Sequence, residues 1–245
     1  MRHQIASTAL VLIALATSSA SPASAEATAR AEENARRSLA TALGERTLPI
    51  LSRRSVRAPE STLTALTDSL KKLDQSFSVE RATREGQRGR LLVTTTNWRL
   101  TIFGDGSAAE FVNLLALGKS HENKIEPARK MSADALQTAG RDFIARYLTD
   151  TIVLGPAEKL EPEQTSARME GGVAADGTSA YSAVVANRVV FTREIDGIPV
   201  VGAGSKVTIT FLNDGSIESF RNDWPQYAAT DRMQETVDIS EILNR

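Results

Sequence analysis

The sequence predicts an α+β protein in which helices pack on an antiparallel β-sheet. Leucines recur every three or four residues from Leu63 to Leu73, which is the spacing of one face of a helix. The segments Trp98–Phe103 and Lys206–Leu212 have the composition and pattern of strands. The dipeptides Asp105-Gly106 and Asp214-Gly215 follow these strands, and Asp-Gly is typical of the tight turns that connect antiparallel neighbours.

The first 25 residues have the layout of a secretory signal peptide. Arg2 and His3 give a positive start, an apolar run extends from Ile5 to Ala16, and the small residues from Ala23 to Ala25 match a cleavage pattern. The apolar run is shorter than the roughly 20 residues that a membrane-spanning helix needs. We therefore expect cleavage near Ala25 and a secreted or periplasmic protein without a stable membrane anchor.

Composition argues against several classes of function once that segment is removed. The chain has no cysteine, and only His121 remains of its two histidines, so a tetrahedral zinc site lacks its ligands. A histidine-based triad would have to recruit His121, which we predict to be an exposed loop residue. Removing Arg2 from 29 basic residues, against 30 acidic ones, leaves a formal charge of 28 − 30 = −2, which gives no attraction for nucleic acid. The sequence thus predicts no catalytic residue, no metal and no cofactor.

Three long helices are expected, and each has its own signal. The first spans residues 26 to about 47, where alanines and leucines form a thin apolar stripe. The second begins after Pro59, and residues 52–59 before it are expected to be a basic connector. The third begins after a Ser132 cap, presents an apolar face from Ala135 to Tyr147 and closes at Leu148.

In the N-terminal half, the strand signals lie on either side of the first Asp-Gly turn. Strands are expected at residues 76–80, 89–96 and 98–103. After Asp105-Gly106, we expect Ala108–Leu117 to return as a single strand. Glu110 and Asn113 favour this interpretation because they interrupt any clean helical stripe.

The C-terminal half is expected to be mostly strand and turn. Residues 155–179 begin with Gly155-Pro156 and are rich in Gly, Glu and Ser, so we expect a long mobile loop there. Strands are expected at residues 183–194, 198–201, 206–212 and 216–222, with Trp224-Pro225 ending the sheet. Residues 228–245 are expected to be a polar tail that contains a short helix at 239–243.

The two β regions resemble each other, which points to an internal repeat. Residues 100–107 can be aligned with residues 209–216. The same offset of 109 aligns Phe111 with Phe220 and Asn113 with Asn222. We therefore expect two copies of a helix-then-sheet unit, covering residues 26–127 and 128–227.

The stretch from Val189 to Ser205 reads V-V-F-T-R-E-I-D-G-I-P-V-V-G-A-G-S. Together with Asp214-Gly215-Ser216-Ile217 and Trp224, it resembles the PepSY/FTP pattern found in propeptides of thermolysin-like proteases and in stand-alone secreted proteins. Such modules template the folding of the enzyme and cover its cleft. No protease domain follows in this sequence, so the resemblance implies a partner in trans. The N-terminal half resembles the pattern only through the internal repeat.

These observations predict a secreted, non-catalytic binding protein that inhibits or chaperones an exported protease or another enzyme. The candidate partner-binding residues are Arg193, Asp196 and Pro199, and an exposed sheet edge is the expected contact surface. Asp-Gly and proline are also ordinary turn chemistry, so these residues can simply shape a hairpin. Two alternatives stay open: a carrier of a small ligand or lipid with a helix-over-sheet pocket, and a hydrolase that uses carboxylates alone.

Overall fold

The computed structural model describes residues 47–54, 58–73, 83–87, 90–120, 122–173, 177, 180–200 and 204–235. These residues form antiparallel β-sheet with a few helices, which confirms the α+β class and gives it a larger share of strand than of helix. By its internal contacts the chain divides into two units. One comprises residues 52–228, and the other comprises the residues up to Leu51 and from Ala229.

Among the described residues there are three α-helices: α1 (Pro59–Lys71), α2 (Leu114–Lys119) and α3 (Ala133–Phe143). A 3-10 turn at Pro127–Arg129 precedes α3, and a π-helical turn at Ile144–Leu148 continues it. None of the helices in this part of the chain is long and apolar enough to cross a membrane.

The strands in the same residues are β1 (Thr47–Arg54), β2 (Thr83–Gln87), β3 (Arg90–Thr94), β4 (Trp98–Phe103), β5 (Ala108–Asn113), β6 (Glu158–Val173), β7 (Ala180–Ile195), β8 (Ile198–Pro199), β9 (Lys206–Leu212), β10 (Ile217–Asp223) and β11 (Gln226–Glu235). Within this part of the chain, nine of them form one antiparallel sheet in the order β2-β3-β4-β5-β10-β9-β7-β6, with β8 pairing beside the end of β7. Strands β1 and β11 form a separate two-stranded sheet.

Helices α1 and α3 form where the sequence predicts them. Pro59 occupies the first turn of α1, where its missing N–H is harmless. The Ser132 side chain accepts a hydrogen bond from the Ala135 N–H at 3.2 Å and so caps α3. The π-helical turn carries the same apolar face onward and ends at Leu148, as expected.

The main core contains side chains from α1, from α3 and from one face of the large sheet. Its strand members lie at alternate positions, since successive side chains of a strand point to opposite faces. Helix α3 lies close to the sheet at Gly140, where an added Cβ would lie 2.6 Å from Phe191 Cε2. The fully buried large side chains include Leu66, Leu70, Trp98, Phe111, Leu136, Phe191 and Phe220.

The expected mobile loop at residues 155–179 is wrong over most of its length. Residues 158–173 form the long strand β6, which pairs with β7 from Glu158↔Ile195 to Val173↔Ala180. This polar sequence can form a strand because its charged side chains form ion pairs with other strands. Arg168 of β6 pairs with Glu218, and Glu163 of β6 pairs with Lys206. Its glycines also have a structural role, because the Tyr181 ring lies over Gly172.

Three further expectations need correction. The strand expected at Ala108–Leu117 ends at Asn113, whose side chain caps α2 by accepting from the Ala116 N–H at 3.0 Å. Part of the basic connector, Ser52–Arg54, belongs to β1. Part of the polar tail belongs to β11. Strands β1 and β11 pair with each other although they lie at opposite ends of the sequence.

Some expectations fall on residues that the structure does not describe. These are the signal peptide, the first helix up to residue 46, the strand at 76–80, His121 and the helix at 239–243.

Candidate functional site

The candidate site lies at the end of β7, where the chain turns into β8. Arg193 shares a face with Phe191, as the spacing of two residues along a strand requires, and both side chains are fully buried. The Arg193 N–H donates to the Ser205 carbonyl at 3.0 Å, and the Arg193 carbonyl accepts from the Val200 N–H at 2.8 Å. The backbone of Arg193 is therefore fixed by the segment that follows β8.

Two aromatic rings hold the Arg193 guanidinium. Its central carbon lies 4.1 Å from the centre of the Trp224 ring and 5.0 Å from the centre of the Tyr227 ring. Such stacking suits arginine because its planar, weakly hydrated head group is attracted to aromatic faces. Trp224 is itself anchored, since its indole N–H donates to the Val153 carbonyl at 3.2 Å.

The polar contacts of this guanidinium are incomplete. Nη1 donates to Glu158 Oε1 at 3.4 Å, which is a long hydrogen bond. Nε and Nη2 are buried, and neither has a hydrogen-bond partner among the residues that the structure describes. The second oxygen of Glu158 accepts from the Gly155 N–H at 3.2 Å. We call Glu158, Arg193, Trp224 and Tyr227 the Arg193 cluster.

Burial is the main influence on the protonation of Arg193. It lowers the pKa of the guanidinium, while the nearby side chains of Glu158, Tyr227 and Asp223 act in the opposite direction. The pKa of a free guanidinium is so high that Arg193 remains a cation at any physiological pH. The site therefore holds a buried positive charge, and within the described residues its ion pair is the long contact with Glu158.

The other two predicted residues lie at the surface beside this cluster. Asp196 and Gly197 form the turn between β7 and β8, with φ values of 52° and 79°. Two consecutive positive φ values are typical of a type I′ hairpin turn. Asp196 and Pro199 are exposed, and the Asp196 N–H donates to the Ala157 carbonyl at 3.0 Å. The structure thus places Arg193 under the turn and the other two residues on it.

Comparison with known proteins identified no similar protein. No family model matches the chain, and neither a curated protein nor a solved structure matches it.

A groove of about 690 Å³ adjoins the Arg193 cluster. One wall comes from the helical segment that contains Ile144, and the other comes from β6 through Leu160. Ile152 and Leu154 add further apolar surface, and Glu158 lines the groove on the side of Arg193. We call this space the β6 groove.

A second pocket, of about 470 Å³, lies between α3 and the turn that joins β9 to β10. Phe143, Tyr147 and Phe211 line it, together with the polar residues Asp142 and Arg146. Phe143 packs against the Tyr147 and Phe211 rings with centroids 5.0 and 6.2 Å away. These aromatic side chains fill the space under the helix, so the pocket opens at the surface and not inside the core.

Several acidic side chains of the described segments have structural partners, among them Glu158, Glu163 and Glu218. No group of three or more His, Asp or Glu side chains is placed to hold a metal ion in this part of the chain. The most buried carboxylate, Glu218, accepts from Arg168 through both oxygens at 2.7 and 3.0 Å. Bidentate pairing of this kind accounts for its burial.

Sequence reasoning missed Glu158, Tyr227 and the ring stacking. Glu158 was placed in the expected loop, and Tyr227 lay next to the expected tail. The signal that could have found them is the arginine itself. An arginine that follows Phe191 on the inward face of a strand needs a carboxylate and an aromatic neighbour, and the strands beside β7 must supply them.

Proposed function

We propose that this chain is a secreted, non-catalytic binding protein that docks onto an exported protease or related enzyme in trans, as a propeptide-like inhibitor or chaperone. Some of the residues that carry the PepSY/FTP resemblance, among them Arg193, Pro199 and Trp224, lie together at one end of the large sheet, whereas the Asp214–Ile217 turn lies at the other end of β9 and β10. One observation supports the proposal above all: the exposed Asp196–Pro199 turn lies directly over the buried Arg193 cluster and is hydrogen-bonded to the Arg193 backbone through Val200.

These contacts restrict the backbone conformation of the turn. Backbone hydrogen bonds hold it from both sides, through Asp196 to Ala157 and through Val200 to Arg193. A surface element that is already ordered loses little conformational entropy on binding, which favours affinity. We propose that Asp196 and Pro199 contact the partner and that Arg193 holds them in position from below.

The turn is a better candidate contact than the free edge of β6. Pro162 has no N–H to offer an added strand, and the ladder is irregular between Pro162 and Gln164. The Leu160 carbonyl accepts from Arg141 Nη1 at 3.0 Å, so that acceptor is already occupied. Features of this kind protect edge strands from pairing with other chains.

We also propose that the large sheet consists of two copies of one helix-then-sheet unit. Strands β5 and β10 pair in the centre of the sheet with Phe111 opposite Phe220, the residues that the repeat makes equivalent. The partners outward from the centre agree as well, because Leu100 lies opposite Val93 and the equivalent Ile209 lies opposite Val189. An approximate two-fold axis through the β5–β10 pair accounts for both matches.

The two turns of the proposed repeat also have matching geometry. Gly106 and Gly215 each have a φ of 83°. The Asp105 carboxylate accepts from the Ser107 N–H at 3.1 Å, and the Asp214 carboxylate accepts from the Ser216 N–H at 2.9 Å. Each copy would contribute one core helix, α1 or α3, to the same side of the sheet.

A carrier of a small ligand or lipid is the second candidate function. The pocket of about 470 Å³ has a volume within the range of small-molecule sites. The burial of Phe143, Phe191 and Phe211 weighs against a deep cavity under the helix. We therefore rank this function second.

The proposal can be tested by affinity capture. Immobilised mature protein, starting at Glu26, is incubated with culture supernatant of the source organism, and retained proteins are assayed for protease activity and its inhibition. We expect the wild type to retain an exported enzyme and the Asp196→Ala, Pro199→Ala double variant to retain at least tenfold less. Equal retention by both would remove the turn from the contact, and failure of the wild type to retain any enzyme would refute the proposal.

A further inference from the structure

The large sheet has a second face, opposite the one that packs against α1 and α3. Leu100, Phe111 and Ile209 belong to the covered face, and the neighbouring position on each strand points the other way. The register therefore places two rows of side chains on this second face. We call them the outer sheet face: Thr94, Arg99, Val112, Ser219, Thr210, Arg188 and Ser166 in one row, and Leu92, Thr101, Glu110, Arg221, Thr208, Val190 and Gln164 in the next.

The charges of the outer sheet face are mostly positive. Arg99 and Arg188 are exposed, and neither forms an ion pair or a hydrogen bond through its side chain within the described residues. In the next row, Arg221 lies 3.9 Å from Glu110. Three arginines against one glutamate leave these two rows with a surplus of two positive charges, although the chain after the predicted signal peptide carries a formal charge of −2. A cationic surface on an acidic protein attracts an anionic ligand.

The same face carries hydroxyl groups that are free to bind. Ser166 is exposed, Thr94, Thr208 and Ser219 are half-buried, and their hydroxyls form no hydrogen bond within the part of the chain that the structure describes. A hydroxyl donates and accepts, so it can pair with another hydroxyl in either direction. Val112 lies between Arg99 and Ser219 in the first row and offers a small apolar surface. Hydroxyls beside small apolar patches match the surface of a sugar.

An extended polypeptide would find no backbone partners on this surface. The two rows cross the interior of the sheet, where β5 lies between β4 and β10, and β9 lies between β10 and β7. The backbone groups of these strands pair within the sheet, so an added strand cannot use them. Recognition here depends on side-chain guanidinium and hydroxyl groups, which favours an acidic sugar polymer over a peptide strand.

We infer that the outer sheet face binds an anionic polysaccharide that carries carboxylates, such as a polymer of uronic acids. Arg99 and Arg188 lie four strands apart in one row, which is about 19 Å at the usual spacing of strands, so a chain of several sugar units is needed to reach both. Each guanidinium donates to one carboxylate. The hydroxyls of Thr208 and Ser219 lie between the two arginines and bind sugar hydroxyls. This inference does not depend on the proposed enzyme partner.

The test compares two ligands that differ only in charge: oligogalacturonate long enough to reach both arginines, and the same oligosaccharide as its methyl ester. Binding to the mature protein is measured by calorimetry at low and at high salt. We expect the acid to bind saturably, added salt to weaken its binding, and the ester to bind at least tenfold more weakly. Equal binding of acid and ester, or no binding of the acid, would overturn the inference.

Substitutions at exposed positions test the arginines without disturbing the core. We expect the Arg99→Gln, Arg188→Gln double variant to lose at least tenfold in affinity for oligogalacturonate while its urea midpoint stays that of the wild type. Arg129→Gln, Arg146→Gln is the matched control, because it removes the same charge from two exposed arginines outside the outer sheet face. The control should bind as the wild type does. An equal loss in both double variants would show that net charge alone governs binding, which would overturn the inference.

The choice of a sugar polymer has tests of its own. Thr208→Val together with Ser219→Ala removes two hydroxyls and little volume, and we expect several-fold weaker binding of oligogalacturonate. Unchanged affinity would overturn the assignment to a polysaccharide. Poly-glutamate and phosphatidylglycerol vesicles represent an acidic polypeptide and an anionic membrane. Tighter binding of either one than of oligogalacturonate would overturn the assignment as well.

Discussion

Phe111 and Phe220 stack across the central strand pair of the large sheet, with ring centroids 5.4 Å apart and planes inclined by 21°. They lie directly opposite each other in the β5–β10 register. Phe143 of α3 approaches the Phe220 ring to 5.8 Å between centroids. The stacked pair of phenylalanines therefore joins the N-terminal and C-terminal parts of the sheet, and the contact of Phe143 with Phe220 connects the pair to α3.

Truncating either ring should destabilise the whole unit of residues 52–228. Both side chains are almost fully buried, and phenylalanine-to-alanine changes in cores cost about 3–5 kcal/mol. We expect Phe111→Ala and Phe220→Ala each to lower the free energy of unfolding by about that amount, measured by urea denaturation. In a double-mutant cycle the pair should couple by about 0.5–1.5 kcal/mol. Two separate unfolding transitions would contradict a shared core.

Gly140 should not tolerate a methyl group. An added Cβ would lie 2.6 Å from Phe191 Cε2 and 2.9 Å from Val189 Cγ1, and the surrounding core is closely packed. We expect Gly140→Ala to destabilise the protein by about 1–3 kcal/mol. Gly118→Ala is the matched control, because Gly118 is also helical but nothing lies within 4 Å of its added Cβ. The control should be neutral or slightly stabilising, and equal effects at the two sites would refute this packing.

The Arg168–Glu218 pair should respond asymmetrically to substitution. The Glu218 side chain is 5% exposed, whereas that of Arg168 is 39% exposed. Arg168→Met leaves a buried carboxylate without its partner, and we expect a loss of about 1–3 kcal/mol. Glu218→Gln leaves an arginine that water can solvate, so the loss should be smaller. Thermal unfolding of the two variants measures the difference, and a larger loss for Glu218→Gln would contradict the burial of this carboxylate.

Asp214 should give the protein a stability component that depends on pH. The Ser216 hydroxyl and N–H, and more weakly the Asn123 amide, hold the pKa of Asp214 below its ordinary value. A depressed folded-state pKa stabilises above the unfolded-state pKa of about 3.9, and the stabilisation is lost as the pH falls through the folded value. We expect wild type to exceed Asp214→Asn in urea midpoint near pH 7.

The same comparison at about pH 2 supplies the control for Asp214. The wild-type carboxyl gains its proton as the pH falls through the folded-state pKa, so the midpoints of wild type and Asp214→Asn should approach each other as the pH is lowered. A difference that stays constant between the two pH values would show that the charge of Asp214 does not contribute.

The elements that sequence reasoning located correctly are those that local rules determine. Ser132 caps a helix through contacts within three residues, and Asp196-Gly197 forms its turn through its own backbone preferences. The strand Lys206–Leu212 alternates buried and less buried positions at its start, because successive side chains of a strand point to opposite faces of the sheet. No distant residue is needed to recognise any of these features.

The elements that were missed depend on distant partners. Strand β6 is polar by composition, and its charges find partners only when the chain has folded, as Arg168 does with Glu218 fifty residues away. Strand β1 pairs with β11, where Ser52 Oγ donates to the Ala228 carbonyl at 3.4 Å. The burial of Arg193 likewise requires Glu158 and Trp224, which approach it from other strands.

The most direct test of the account is a titration of any captured protease with the purified mature protein. If the protein acts by presenting a folded surface, protease activity should fall in proportion to the added protein and reach its minimum at one molecule per enzyme. The inhibition should not deepen with time, and the inhibitor should be recovered unchanged. Progressive inactivation by substoichiometric amounts, with turnover abolished by changing one acidic residue, would contradict a non-catalytic binding role.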